Sequence, residues 1–343
     1  MKKLLNTLYV TTQGVYLSKK GETILISQGQ EVKMRVPIHN LNSIVCFGNV
    51  MCSPFLLGFC GERNVLISFL TESGRFLARV HGPVSGNVLL RREQYRQADD
   101  PIQSAEIARS VVKSKIANSR IALQRAIRDK AELMDNTLME KSLNELYRYI
   151  KTLDEEISLD RIRGVEGQAA ATYFGVFNNL ISVNKNDFFF KERSRRPPLD
   201  NMNALLSFIY TLLVHDIASS LEAVGLDPAV GFLHRDRPGR PGLALDMMEE
   251  FRTYLADRLA LSLVNRNQIK SKGFKKTESG AVKMDDKTRK TVLVSWQKRK
   301  QDEMIHPFLQ EKIVIGLLPH IQALLLSRYI RGDLEGYPPF LWR

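Results

Sequence analysis

Two stretches of this sequence carry side chains able to do chemistry. In GVEGQAAATYFGVF, Gly164 to Phe177, one carboxylate, Glu166, stands among glycines, alanines and apolar residues. Helical spacing puts Glu166, Ala170 and Tyr173 on one side, and the small residues predict a closely packed neighbouring helix. A charge there needs a partner, unless Glu166 lies in the solvated first turn of the helix, where acids are favoured. Taken alone, the solvated end is the commoner case. In GFLHRDRPGRPGLALDMMEEFR, Gly231 to Arg252, His234 closes an apolar run and a loop rich in proline, glycine and arginine follows. That loop leads into a helix bearing Asp246, Glu249 and Glu250. Leu245, Met248, Phe251, Leu255 and Leu259 predict its buried stripe, with Asp246 and Glu249 projecting beside it at i and i+3. An imidazole with carboxylates is a plausible ligand set for magnesium or manganese. Such an ion stabilises charge on a phosphoryl oxygen and activates a hydroxyl nucleophile. A structural histidine and ordinary surface acids make the same pattern, so the rest of the chain has to weigh between them.

Its charge favours a polyanion. Lys and Arg number 50 against 37 Asp and Glu, a formal charge of +13 on 343 residues, with 44% hydrophobic and 25% charged residues. This is a globular composition with room for two domains and an excess suited to nucleic acid or an acidic membrane surface. Arg266 to Lys300 holds 12 basic residues against three acids, and Arg109, Lys113, Lys115, Arg120, Arg125 and Arg128 make a second basic cluster on a predicted helix. The apolar run MNALLSFIYTLLV is too short for a membrane span, IVIGLLPHIQALLL is broken by Pro319, His320 and Gln322, and the start of the chain does not read as an export signal. No membrane partner is expected, and nucleic acid better explains the charge. Cys46, Cys52 and Cys60 lack zinc-site spacing and read as buried thiols of a cytoplasmic protein. HRD at His234 to Asp236 matches the start of a kinase catalytic loop, but Pro241 stands where its asparagine is required. No P-loop, serine elbow or dinucleotide fingerprint appears.

The elements that must position these residues change character along the chain. Short β-prone runs (TLYVTT, VYLSKKG, TILISQG, SIVCFG, VLISFLTESG, RFLARVHG) are interrupted by a helix capped by Ser53 with a proline in its first turn. The period then moves from two to three or four. This predicts an α+β multidomain chain: a mostly β domain over 1–95, a linker over 96–100 at Asp99, Asp100 and Pro101, a larger all-α domain over 101–330 and a tail over 331–343. Helices are expected near 101–128, 139–156, 165–182, 200–223 and 243–264, with others between 287 and 330. A hairpin in FKKTESGAVKM should turn at Ser279 and Gly280.

Three motifs, RIRGVEGQAAATYF, RRPPLDNMNALLSFIYTLL and GFLHRDRPGRPGLALDMMEEFR, behind an N-terminal β domain, resemble the CRISPR-associated integrase, the universal core subunit of the spacer-acquisition machinery. The resemblance covers nearly the whole chain. It implies a homodimer with a β-rich dimerisation domain and a helical catalytic domain that binds double-stranded DNA. It further implies a small ferredoxin-like partner completing a heterohexamer. The implied activity is that of a metal-dependent DNA integrase and endonuclease, joining the 3′-hydroxyl ends of a DNA duplex to the CRISPR repeat by transesterification. Carried over by motif, Glu166, His234 and Glu249 are the catalytic residues and ligands of magnesium or manganese. Asp246, Arg252 and Tyr173 are accessory to the site. Arg195, Arg196, Asn203, Lys275 and Lys276 are expected DNA contacts, and Asp200 a supporting residue, with helix capping and packing as the alternative for the RRPPLDNMN motif. A nuclease resolving branched DNA and a noncatalytic nucleic-acid-binding protein are the competing readings.

Overall fold

The structure is a computed structural model and describes residues 6–80, 82, 88–130, 136–155 and 158–342. The opening MKKLL, His81 of RFLARVHG, Glu156 and Arg343 lie outside these residues. The chain divides into two compact units. One comprises Met1–Gly86, Arg289–Met304 and Ile313–Leu318, the other Asn87–Thr288, Ile305–Lys312 and Pro319–Arg343.

The first unit is built from β1 (Thr7–Val10), β2 (Val15–Lys20), β3 (Thr23–Gln28), β4 (Glu31–Pro37), β5 (Ser43–Phe47), β6 (Val50–Cys52), α1 (Pro54–Glu62), β7 (Leu66–Leu70) and β8 (Phe76–Val80). Two four-stranded sheets run β1-β5-β7-β8 and β4-β3-β2-β6. The β1, β5 and β7 ladder is parallel, as is β2 with β6, and the remaining pairs are antiparallel. Alternation sets the core: Val15 and Leu17 of β2 and Ile24 and Ile26 of β3 turn inward with Ile44, Ile67, Leu56 and Phe59. Ser53 accepts the Leu56 N–H and caps α1, with Pro54 in its first turn, as its sequence predicts. All three thiols are free; Cys46 and Cys60 are buried and Cys52 is partly exposed. Burial pushes the Cys60 thiol up to about 12.

The second unit begins with α2 (Val88–Asp99) and α3 (Pro101–Lys130), followed by α4 (Asn136–Thr152), α5 (Leu159–Gly175), α6 (Asn201–Ala223) and α7 (Gly242–Phe251). A π-helical segment, Arg252–Asp257, joins α7 to α8 (Arg258–Asn265); the hairpin β9 (Phe274–Lys276) and β10 (Val282–Met284) comes next. It closes with Thr277 N–H on Ala281 O and Gly280 at φ +79°, the turn expected there. The chain then returns to the first unit for most of α9 (Asp286–Gln301), and all but the first residue of α10 (Leu318–Ile330) belongs to the second. α3 packs against α4, α5 and α7 and is the axis of this unit.

Four expectations need correction. Residues 96–99 are the last turn of α2, Asp100 caps α3 through the Ile102 N–H, and the units divide at 86/87. Residues 331–343 are no loose tail among the described positions: Tyr337, Phe340 and Trp342 are buried, and the Phe340 carbonyl accepts from Asn118 at 3.0 Å. The apolar run in α6 grows to 23 residues, long and apolar enough to cross a membrane, but 72% of its apolar 18-residue window is buried inside the protein, as in a core helix. The helix predicted over 243–264 has no single stripe. The π segment shifts the register, and α7 buries Leu243, Ala244, Met247 and Phe251 while Leu245 and Leu259 stay partly exposed.

Candidate active site

The site lies within the helical unit, where α3, α5, α7 and the loop before α7 meet. Ser158 caps α5 by accepting the Arg161 N–H, so Glu166 lies two turns into the helix and is no solvated first-turn acid. Its glycines do not serve close packing either. A Cβ at Gly164 or Gly167 would meet nothing, and both positions are exposed beside Glu166.

Lys115 projects from α3 between two carboxylates. Its ammonium donates to Glu166 Oε1 and lies 2.7 Å from Glu249 Oε2, with the lysine side chain only 7% exposed. From the other side Arg252 Nη1 stands 3.3 Å from both oxygens of Glu249. Burial opposes charge on Glu249, but Lys115 and Arg252 outweigh it and hold the carboxyl at about 2.

His234 is fixed by Asp246. One oxygen of that carboxylate accepts the Phe232 and Leu233 N–H groups at 2.6 and 2.9 Å. The other accepts the His234 N–H at 3.0 Å and lies 2.6 Å from His234 Nδ1. The ring proton therefore sits on Nδ1, and Nε2 is left as the acceptor able to bind an ion. The loop approaches so closely that a Cβ on Gly231 would fall 2.7 Å from Asp246 Oδ2 and from the Gly242 backbone. Arg163 of α5 donates to Leu233 O at 2.7 Å, tying the Glu166 helix to the His234 loop.

Behind Glu249 lies a buried support, of which the sequence reading names Arg252 and Tyr173 but not Tyr210, Phe174 or Asp257. The Arg252 guanidinium stacks 4.5 Å from Tyr210 and 5.4 Å from Phe174. Tyr210 and Tyr173 donate to the two oxygens of Asp257 at 2.5 and 3.1 Å. Burial raises the Asp257 carboxyl against the pull of Arg252 and the two phenols. Tyr173 thus belongs to this support, and Arg252 is directed at Glu249. Lys115 and Asp257 were readable only as charged residues at buried helical spacing: Lys115 lies between Val111 and Ser119 on the covered face of α3.

The structure brings Glu166 and Glu249 onto one cation and holds His234 beside them. Among the described residues, no three His, Cys, Asp or Glu side chains form a ready metal cluster; the position shared by Glu166 and Glu249 is taken by the Lys115 ammonium. The donor chemistry still suits a hard divalent ion: two carboxylates that already share a cation, and an imidazole with its second nitrogen free.

The expected DNA contacts divide. Arg195, Arg196, Lys275 and Lys276 are exposed, and their segments adjoin, since Val282 N–H donates to Pro198 O at 2.9 Å. Arg237 and Arg240 of the His234 loop lie near Arg195 and Arg196; burial and these like charges lower Arg240. Asn203 is corrected: it is fully buried, donates to Glu192 O and Asp200 Oδ2, and accepts from Arg193. Asp200 caps α6. The basic cluster on α3 is also largely consumed internally. Lys113 pairs with Asp154, Lys115 with the site, and Arg120 and Arg125 cover Tyr147 and Trp342.

Residues 8–298 match the family model for CRISPR associated protein Cas1. The chain belongs to the Cas1 family. A CRISPR-associated endonuclease Cas1 of Chlorobaculum tepidum is 57% identical over 343 residues, all of both chains. One from Rhodospirillum rubrum is 50% identical over 347 residues, again covering both chains completely. The fold agrees with a Cas1 protein from Thermotoga maritima (TM-score 0.81, 24% identity, 98% of this chain and 100% of that one). It agrees also with a casposase solved bound to integration product (TM-score 0.83, 22% identity, 100% and 95%) and with a chain of a Cas6-RT-Cas1–Cas2 complex (TM-score 0.83, 21% identity, 100% and 36%). The Cas1 family pattern of a strand-rich N-terminal region followed by a helical domain is the one found here.

Proposed function

We propose that this Cas1 family member is a divalent-metal-dependent DNA integrase and endonuclease of CRISPR adaptation. It would join the 3′-hydroxyl ends of a duplex to the CRISPR repeat by transesterification. One observation carries the reading: carboxylates from α5 and α7, 83 residues apart in the chain, share one buried cation beside an imidazole whose outer nitrogen is free. Glu166, Glu249 and His234 would hold magnesium or manganese. When bound, such an ion supplies a Lewis acid that stabilises charge on a phosphoryl oxygen and makes a hydroxyl a better nucleophile.

The chain's own residues prepare the chemistry. Glu249 stays ionised through the neutral range because Lys115 and Arg252 face it. Asp246 orients the His234 ring. Arg195, Arg196, Lys275 and Lys276 offer exposed positive charge to hold that backbone. In the exchange one phosphodiester bond forms as another breaks, so no external energy source is required.

The same site working with water would cut branched DNA, a second use favoured by the endonuclease name of the full-length relatives. A purely noncatalytic binder gives no account of two carboxylates converging on one buried lysine beside an Asp-anchored imidazole. For partners we propose a homodimer and a small ferredoxin-like adaptation protein forming a heterohexamer with double-stranded DNA, in the cytoplasm. Support comes from similarity to a chain of a Cas1–Cas2 complex and from exposed apolar residues on the strand-rich unit, including Met34, Met51 and Phe55. The test is a strand-transfer assay on a labelled duplex with manganese or chelator. Activity should vanish in chelator and in Glu166→Gln, His234→Ala and Glu249→Gln, while duplex binding persists. Strand transfer that survives chelation refutes the metal-dependent reading.

A further inference from the structure

Lys115 is the one cation that touches both Glu166 and Glu249 in the described structure. Its aliphatic stem runs along the covered face of α3, and its ammonium is placed where two ligand carboxylates converge. Glu166 and Glu249 face Lys115 and Arg252, with Asp257 behind Arg252 and Asp246 behind His234. A divalent ion taking Glu166 and Glu249 would meet the Lys115 ammonium on the same carboxylates, and like charges that close repel strongly in a buried site. Of the two cations on Glu249, Lys115 is the one in the way. Arg252 is held by stacking on Tyr210 and Phe174, whereas Lys115 is held only through the carboxylates the ion would take.

The Glu166 side of the site opens to solvent, that side chain being 27% exposed, so a displaced ammonium has water to withdraw to.

We infer that Lys115 is a built-in stand-in for the divalent ion: it pairs with both carboxylates when no metal is bound and is displaced toward solvent when metal enters. This rests on the proposed assignment of Glu166, His234 and Glu249 as ligands. It has two consequences. The metal-free protein keeps its two acids paired and stays folded in chelator. Metal affinity is set lower than the ligands alone would give, because each binding event displaces a charge-assisted contact.

Manganese binding by calorimetry, with melting temperatures in chelator and in manganese, tests this without an activity readout. Lys115→Met should bind manganese about tenfold more tightly than wild type, the equivalent of one such contact. Its melting temperature should drop in chelator and rise in manganese by more than that of wild type. Equal or weaker affinity in Lys115→Met overturns the inference. If neither protein binds manganese, or Glu166→Gln and Glu249→Gln bind it as wild type does, the ligand assignment itself fails. Should Lys115→Met not fold, nitrogen-15 lysine NMR of wild type decides. A slowly exchanging Lys115 ammonium signal, identified by its loss in Lys115→Arg, should disappear on magnesium titration; its persistence at saturating magnesium overturns the displacement.

Discussion

Glu249 and Glu250 are consecutive residues of α7, both buried, and they face opposite surroundings. Glu249 meets two cations, Lys115 and Arg252, and is held at about 2. Glu250 meets only neutral donors: the Phe340 N–H at 2.7 Å, the Tyr337 hydroxyl at 2.5 Å and the Gln322 amide at 3.0 Å. Burial outweighs those donors and pushes Glu250 up to about 7. Successive helix residues point about 100° apart, so one side of α7 serves the site while the other anchors the C-terminal segment. The chemistry of a carboxylate here is decided by the charge of what it faces, not by its burial.

This contrast stands or falls first on strand transfer. Glu249→Gln keeps the shape but loses the charge, and the metal-dependent rate should fall by at least about 100-fold, several kcal/mol of Lewis-acid stabilisation. Glu250→Gln, assayed at saturating DNA across a manganese titration, should fall by less than about threefold. A greater loss in the Glu250 variant would reverse the two roles.

Asp246→Asn probes the site side of α7 by another route. The amide cannot hold the Nδ1 proton as the carboxylate does, and metal affinity should drop about 10- to 100-fold. An unchanged manganese affinity would mean that His234 needs no fixed tautomer.

Stability against pH separates the two acids directly. Glu250 binds its proton more tightly when folded, so from about pH 4.5 to pH 7 the unfolded chain releases a proton that the folded one keeps, and stability falls as pH rises. That loss is at most about 3 kcal/mol. Glu249 has the opposite sign: its contribution is complete above about 4.5 and disappears only as pH falls through about 2, so it adds no slope near neutrality. Urea midpoints at pH 5 and pH 7.5 should therefore show wild type losing ground relative to Glu250→Gln. A constant gap between them would show that Glu250 does not titrate there.

The mildest effect lies outside α7. Replacing Arg195, Arg196, Lys275 or Lys276 by Ala should leave metal affinity intact and reduce the log-log salt slope of duplex binding by about 0.9 for each phosphate no longer neutralised. A slope unaltered by all four changes would move the DNA surface elsewhere.

Much of this arrangement is legible in the sequence because local signals carry it. The Ser53 cap, the hairpin turn at Gly280, α3 and α6 come within a few residues of their observed bounds. The motifs around Glu166, His234 and Glu249 are strong enough to place the chain in its family. What escaped is set by distant partners. Lys115 reads as one more basic residue until α5 and α7 bring their acids to it. Asn203 looks exposed until Arg193 and Glu192 fold over it. The role of Gly164 and Gly167 cannot be told from composition, since a small residue serves a close neighbour and an open approach equally well. The π segment leaves no periodic trace, because its irregular turn erases the pattern that would announce it.

The strand-rich unit draws on both ends of the chain, taking Arg289–Met304 and Ile313–Leu318 as well as the N-terminal residues. Within it, the Gln297 amide donates to Thr7 O at 2.8 Å, so the edge of β1 receives a contact from a helix made nearly 300 residues later. During synthesis the strands of this unit therefore wait until residues 87–288 of the helical unit have been made before the rest of their own unit follows, and an expression boundary drawn at 86/87 would yield a sheet lacking part of its own covering.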